Sequence, residues 1–114
     1  MVRALARRIL ESQGYRVLEA KDGAEALEIA AEHGDSIDLL ITDVIMPGMG
    51  GKQLAEILRS HRVEMQVLYV SGYTDDTIVE QGMLSPGVAF LQKPFTHESL
   101  SAKVRAVLNQ RAVR

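Results

Sequence analysis

Between Ile37 and Met49 the chain reads I-D-L-L-I-T-D-V-I-M-P-G-M, and this stretch restricts the possible folds more than any other. Leu39, Leu40 and Ile41 form a short continuous apolar run, the pattern of a strand buried on both faces of a parallel sheet rather than of an alternating, half-exposed one. The run ends on Asp43, and Pro47 and Gly48 follow almost at once. In open α/β sheets ligands bind beyond the C-terminal ends of the strands, so a carboxylate placed there is a candidate for chemistry. An Asp that opens a turn or caps a helix is the competing reading, and residues elsewhere must decide.

The rest of the chain supplies a frame. Met1–Gln13 reads as a helix, with Val2, Leu5, Ile9 and Leu10 at helical spacing and Gly14 as its C-cap. A short strand is predicted at Arg16–Ala20, a helix at Ala24–His33, the central strand at Ile37–Thr42 and a third helix at Gly51–Arg62. Gln66–Ser71 is another buried strand, followed by an irregular helix through Ile78 and Val79 and a turn at Ser85-Pro86-Gly87. Val88–Gln92 is the last strand, and His97–Asn109 closes the chain with Leu100, Val104, Val107 and Leu108 on one stripe. Strands separated by helical crossovers imply an α/β fold with a mostly parallel sheet covered on both faces.

Bulk properties narrow the function. A chain of 114 residues makes one domain that buries a core unaided. Cysteine is absent, which excludes a disulfide scaffold or a thiolate zinc site. With Lys+Arg 13 against Asp+Glu 15, a net charge of -2 gives no electrostatic case for nucleic acid or an anionic membrane. No apolar run approaches the roughly 20 residues that span a bilayer, and M-V-R-A-L-A-R-R lacks a signal peptide's apolar core. A cytoplasmic domain is expected.

Asp43, Ser71 and Lys93 stand at the C-terminal ends of three successive predicted strands. Parallel strands place those ends on one edge, so an anion, a hydroxyl and a cation would meet there. Phosphoryl transfer to a carboxylate needs this set: Asp43 as nucleophile, Lys93 offsetting charge on the equatorial oxygens, Ser71 donating a hydrogen bond to one of them. A hard divalent cation is also required to bridge the repelling charges, with further carboxylates in its shell.

Three segments, D-V-I-M-P-G-M-G-G, V-S-G-Y-T and F-L-Q-K-P-F, resemble the signatures of the receiver domain of two-component response regulators, and the likeness extends through G-Y-R-V-L-E-A-K-D-G-A-E-A-L over essentially the whole chain. The last third is most similar to receivers at the C-terminus of hybrid sensor histidine kinases. The resemblance implies a flavodoxin-like doubly wound sheet in three α/β/α layers, strand order 2-1-3-4-5, a known arrangement for this family. It implies Asp43 as phosphoacceptor, Ser71 as switch hydroxyl, Lys93 as phosphate contact, Phe90 as the aromatic that changes rotamer, and Asp43 with the Ile45 carbonyl as Mg²⁺ ligands. It further implies a proline, Pro94, that follows the lysine, often through a cis peptide. The partner would be a histidine kinase or phosphotransfer protein, and the domain itself would not be an enzyme.

One departure is large. Receivers begin with a buried strand that ends in an acidic metal-binding pair, whereas residues 1–114 start inside the first helix, so the domain is expected to lack that strand and to carry a gap in its sheet. A shortened chain, a strand exchanged from another protomer in a homodimer, and a rearranged sheet that closes the gap all remain open, and weak Mg²⁺ binding is expected. The rivals fail on spacing. A dehalogenase-type phosphatase needs a second Asp where Ile45 stands; a P-loop fails because Met46 replaces its first Gly and Gln53 follows Lys52. A serine hydrolase fails because Tyr69 and Tyr73 flank Ser71 where glycines are needed. An unphosphorylated pseudo-receiver that serves only as an interaction module is the alternative of a different class. His33, His61 and His97 read as solvated helix residues, and Met46 and Met49 as loop packing.

Overall fold

Along the residues that the computed structural model describes, 3–33, 36–46, 48–61, 65–72, 84 and 88–112, the order is α1 (Arg3–Ser12), α2 (Gly23–His33), β1 (Leu39–Asp43), α3 (Gly51–His61), β2 (Gln66–Ser71), β3 (Phe90–Gln92) and α4 (His97–Ala112). Local chemistry sets the helix ends. Gly14 has φ +91°, and Gly14 N–H donates to Glu11 O while Tyr15 N–H donates to Leu10 O, so the end of α1 is closed by paired carbonyls that glycine alone satisfies without strain. Asp22 Oδ1 accepts from Glu25 N–H at 2.9 Å and starts α2. At α4, Thr96 Oγ1 accepts from Ser99 N–H and Ser99 Oγ accepts from Thr96 N–H, a reciprocal cap.

The three strands are parallel in the order β1-β2-β3, with Asp43 opposite Val70 and Ser71 opposite Gln92. Side chains alternate across the sheet. Val67 and Tyr69 of β2 enter one core with Ala30, Leu54, Ala55, Leu58 and Met65; Leu68 enters the other with Ile9, Leu10, Leu100, Val104 and Val107. Helices α2 and α3 therefore cover one face and α1 and α4 the other, giving the three-layer doubly wound arrangement. No helix among the described residues is long and apolar enough to cross a membrane.

Three expectations need correction. Arg16–Ala20 is not a strand of the sheet. Tyr15 and Val17 still pack against the α1 and α4 core, but backbone groups with no neighbour to bond cannot form a ladder. In the order 2-1-3-4-5 that neighbour is the first strand, and among the described residues none lies between Arg16–Ala20 and β1. The sheet does not rearrange to close this gap. For the same reason Leu39, Leu40 and Ile41 are only half-buried rather than covered on both faces, because β1 is an edge strand. The final strand is also shorter than Val88–Gln92. Pro47, Tyr73, the helix expected through Ile78 and Val79, and the turn at Ser85-Pro86-Gly87 lie outside the described residues.

Candidate functional site

Asp43 is the last residue of β1, Ser71 the last of β2, and Lys93 follows the last of β3. Parallel pairing puts all three on one rim of the sheet. The side chains of Asp43 and Lys93 span the end of β2 and meet there, with Lys93 Nζ 3.0 Å from Asp43 Oδ1. Ser71 lies between them in strand order and is buried, while its carbonyl accepts from Lys93 N–H at 2.8 Å. Oδ1 is shielded from solvent on the side that faces the ammonium.

Electrostatics at the rim favour an anion. Burial by itself pulls the Lys93 ammonium down, yet hydrogen bonding and the charge of Asp43 outweigh it, and the group titrates above its ordinary value. Lys93 thus stays cationic throughout the physiological range. The side chains of Lys93 and Asp43 are 31% and 23% exposed, so the pair contributes little to stability, and its importance is its position.

The backbone at Asp43 and Val44 is held by three hydrogen bonds. Thr42 Oγ1 donates to Asp43 O at 3.0 Å, Val44 N–H donates to Val70 O at 3.0 Å, and Gly51 N–H donates to Val44 O at 3.0 Å. A Cβ on Gly51 would collide with the Asp43 carbonyl oxygen, so the start of α3 seats against the end of β1 only with glycine there. Gly51 is the residue that reading the sequence missed. Its signal was present, a glycine opening the third helix just beyond Asp43, but the sequence does not display what that glycine touches.

Phe90, the first residue of β3, is half-buried against the core that contains Tyr69 and Leu54. Ile45, two residues beyond Asp43, is 54% exposed beside the rim. Met46 and Met49 pack on the α2 and α3 core, and the Lys93–Pro94 peptide is cis. His97 is exposed and its Nε2 lies 3.4 Å from Ser12 Oγ, away from the rim residues.

The donor set tests a metal. The ligands expected from the sequence resemblance are the Asp43 carboxylate and the Ile45 carbonyl, and the described residues contain no group of three His, Cys, Asp or Glu side chains able to hold an ion. An octahedral Mg²⁺ shell needs more protein oxygen than this, or several retained waters. These residues do not by themselves form a magnesium site.

Similarity to known proteins agrees with the geometry. Residues 1–105 match the response regulator receiver domain model. The sensor kinase CckA of Brucella abortus is 38% identical over 103 residues, 90% of this chain and 11% of that protein, and the response regulator MprA of Mycobacterium leprae is 37% identical over 96% of this chain and 47% of its own length. The chain thus spans less than half the length of these relatives. Among solved structures, the receiver domain of the hybrid histidine kinase CckA superposes with a TM-score of 0.78 at 43% identity, covering 94% of this chain and 89% of that one. Chemotaxis protein CheY4 of Vibrio cholerae gives 0.79 at 30% identity over 93% and 88%. The flavodoxin-like fold, the shared rim and the matched family model together place this chain in the receiver domain family of two-component response regulators.

Proposed function

We propose that residues 1–114 act as one phosphorelay receiver domain in which Asp43 accepts a phosphoryl group from the phosphohistidine of a sensor kinase or phosphotransfer protein. The observation that carries this reading is the 3.0 Å approach of Lys93 Nζ to Asp43 Oδ1 on the rim shared with Ser71. An Asp43 carboxylate oxygen forms the new O–P bond, the N–P bond of the donor breaks, and the imidazole leaves with its ring nitrogen free to take a proton from water. Lys93 faces the charge that develops on the equatorial oxygens, and Ser71 supplies a hydroxyl donor from the adjacent strand end. Ser71 then shifts toward the phosphoryl group and Phe90 fills the space it leaves, a two-state change biased by one charged group. The output face is β3 with α4. The domain signals rather than catalyses, its setting is cytoplasmic, and a hybrid kinase is its natural parent protein.

Because Asp43 and Ile45 offer so few metal ligands, the chain on its own is expected to bind Mg²⁺ weakly and to phosphorylate slowly. Incubation with phosphoramidate, followed by intact mass and hydroxylamine sensitivity, tests the assignment. One acyl phosphate should form on the wild-type chain and none on Asp43→Asn. Label retained in the variant overturns it.

The sparse donor set is also the observation that favours the second reading, a pseudo-receiver that docks partners without phosphorylation. Partner binding by Asp43→Ala with and without phosphodonor separates the two: only a phosphorylated switch loses a donor-dependent change.

A further inference from the structure

Met46 and Met49 stand just past the rim, and both are half-buried where they pack on the α2 and α3 core. Their sulfurs have different neighbours. Met49 Sδ lies 3.1 Å from the point that a Cβ on Gly23 would occupy, against the start of α2. Met46 Sδ instead accepts a hydrogen bond from Thr42 Oγ1 at 3.7 Å. The same hydroxyl, on a buried residue, donates to Asp43 O at 3.0 Å. Ile45 and Gly48 on either side of Met46 are exposed, so small solutes reach this loop.

A threonine hydroxyl carries a single proton, so the Asp43 carbonyl and the Met46 sulfur compete for it. A thioether is a weak acceptor, and the carbonyl holds the larger share. That balance depends on the oxidation state of the sulfur. When a hydroperoxide meets Met46, a sulfur lone pair forms the S–O bond and the O–O bond breaks. The sulfur is oxidised by an electron pair, the peroxide is reduced, and the proton of the transferred oxygen passes to the departing one, which leaves as water or an alcohol. The sulfoxide oxygen bears partial negative charge and accepts far better than the thioether did. It arises beside a hydroxyl that already contacts the sulfur, and it puts a polar group into an apolar core contact.

We infer that Met46 is a reversible oxidation site for hydroperoxides, whose sulfoxide draws the Thr42 hydroxyl off the Asp43 carbonyl and so releases one of the bonds that hold the end of β1. Methionine sulfoxide is returned to the thioether by sulfoxide reductases, which makes the change reversible. The inference stands apart from phosphorylation, since its readouts are a mass and a backbone resonance.

Hydrogen peroxide treatment of the full 114-residue chain, followed by peptide mass mapping and by carbonyl-carbon NMR of Asp43, tests it. Met46 should gain an oxygen about tenfold faster than Met65, which is 2% exposed and is reached only through local opening. The Asp43 carbonyl resonance should move upfield as Met46 oxidises, in the direction that Thr42→Val moves it without oxidant. Met46→Leu should remove this response to peroxide, and Met49→Leu should keep it. Equal oxidation rates at Met46 and Met65 overturn the inference. So does an unmoved Asp43 resonance at complete Met46 oxidation, and so does a response that persists in Met46→Leu or disappears in Met49→Leu.

Discussion

β1 and β2 are neighbouring parallel strands of similar composition, L-L-I-T-D and Q-V-L-Y-V-S, yet they live in different surroundings. In β2 every residue after Gln66 is buried; in β1 only Thr42 is. The difference does not come from the residues. It comes from β2 having a strand on each side and β1 on one, so that strand burial here is decided by neighbours rather than by intrinsic preference. The largest expected contrast is therefore in exchange. Amides of Leu68 and Val70 should open only with global unfolding, at least about 5 kcal/mol, whereas those of Leu39 and Ile41 should exchange through local opening at a small fraction of that. Equal protection of the two strands, measured by native-state exchange, would break the comparison.

Side-chain truncation sharpens it. Leu68→Ala removes a fully buried side chain that joins β2 to α1 and α4 and should cost about 2–5 kcal/mol in urea denaturation. Ile41→Ala, on the half-buried strand, should cost about 1 kcal/mol. Gly51→Ala falls between them at about 1–3 kcal/mol, because the new methyl must push α3 off the Asp43 carbonyl. It should also slow acyl-phosphate formation in Asp43, a loss that Ile41→Ala does not share.

Much of this was legible beforehand, and the exceptions have one physical origin. The order of helices and strands, the Gly14 cap, and the meeting of Asp43 with Lys93 on one rim all follow from local pattern plus the rule that parallel strands share an edge. What failed was every reading that needed a neighbour the pattern cannot display. V-L-E-A has strand composition, but Arg16–Ala20 has no ladder to join. Leu39–Ile41 has the run of a central strand, and it lies at an edge. Gly51 was overlooked for the related reason that its constraint comes from the Asp43 backbone, eight positions earlier in the chain, and a lone glycine does not say what it touches.

The smallest expected effect concerns the rim itself. Folding raises the Lys93 ammonium above its ordinary 10.5 despite burial, with Asp43 among the causes, and burial raises the Tyr69 phenol above its ordinary 10.0. In both cases the folded chain holds the proton more tightly than the unfolded one. The stability each group contributes is complete below the unfolded value and is lost as pH rises through the folded value. Denaturation midpoints should therefore be flat near neutrality with respect to these two groups, begin to fall as pH passes 10.0, the ordinary value of the phenol, and fall further past 10.5, that of the ammonium. Lys93→Met, which keeps the aliphatic stem and removes the charge, should flatten part of that fall by less than about 1 kcal/mol, as befits a partly exposed pair. Tyr69→Phe should flatten another part in the variant as in the wild type, because the phenol reports burial in β2 and the ammonium reports contact with β1. If Lys93→Met leaves the alkaline limb unchanged, the cation is not held by Asp43 in solution, and the link across the end of β2 is lost with it.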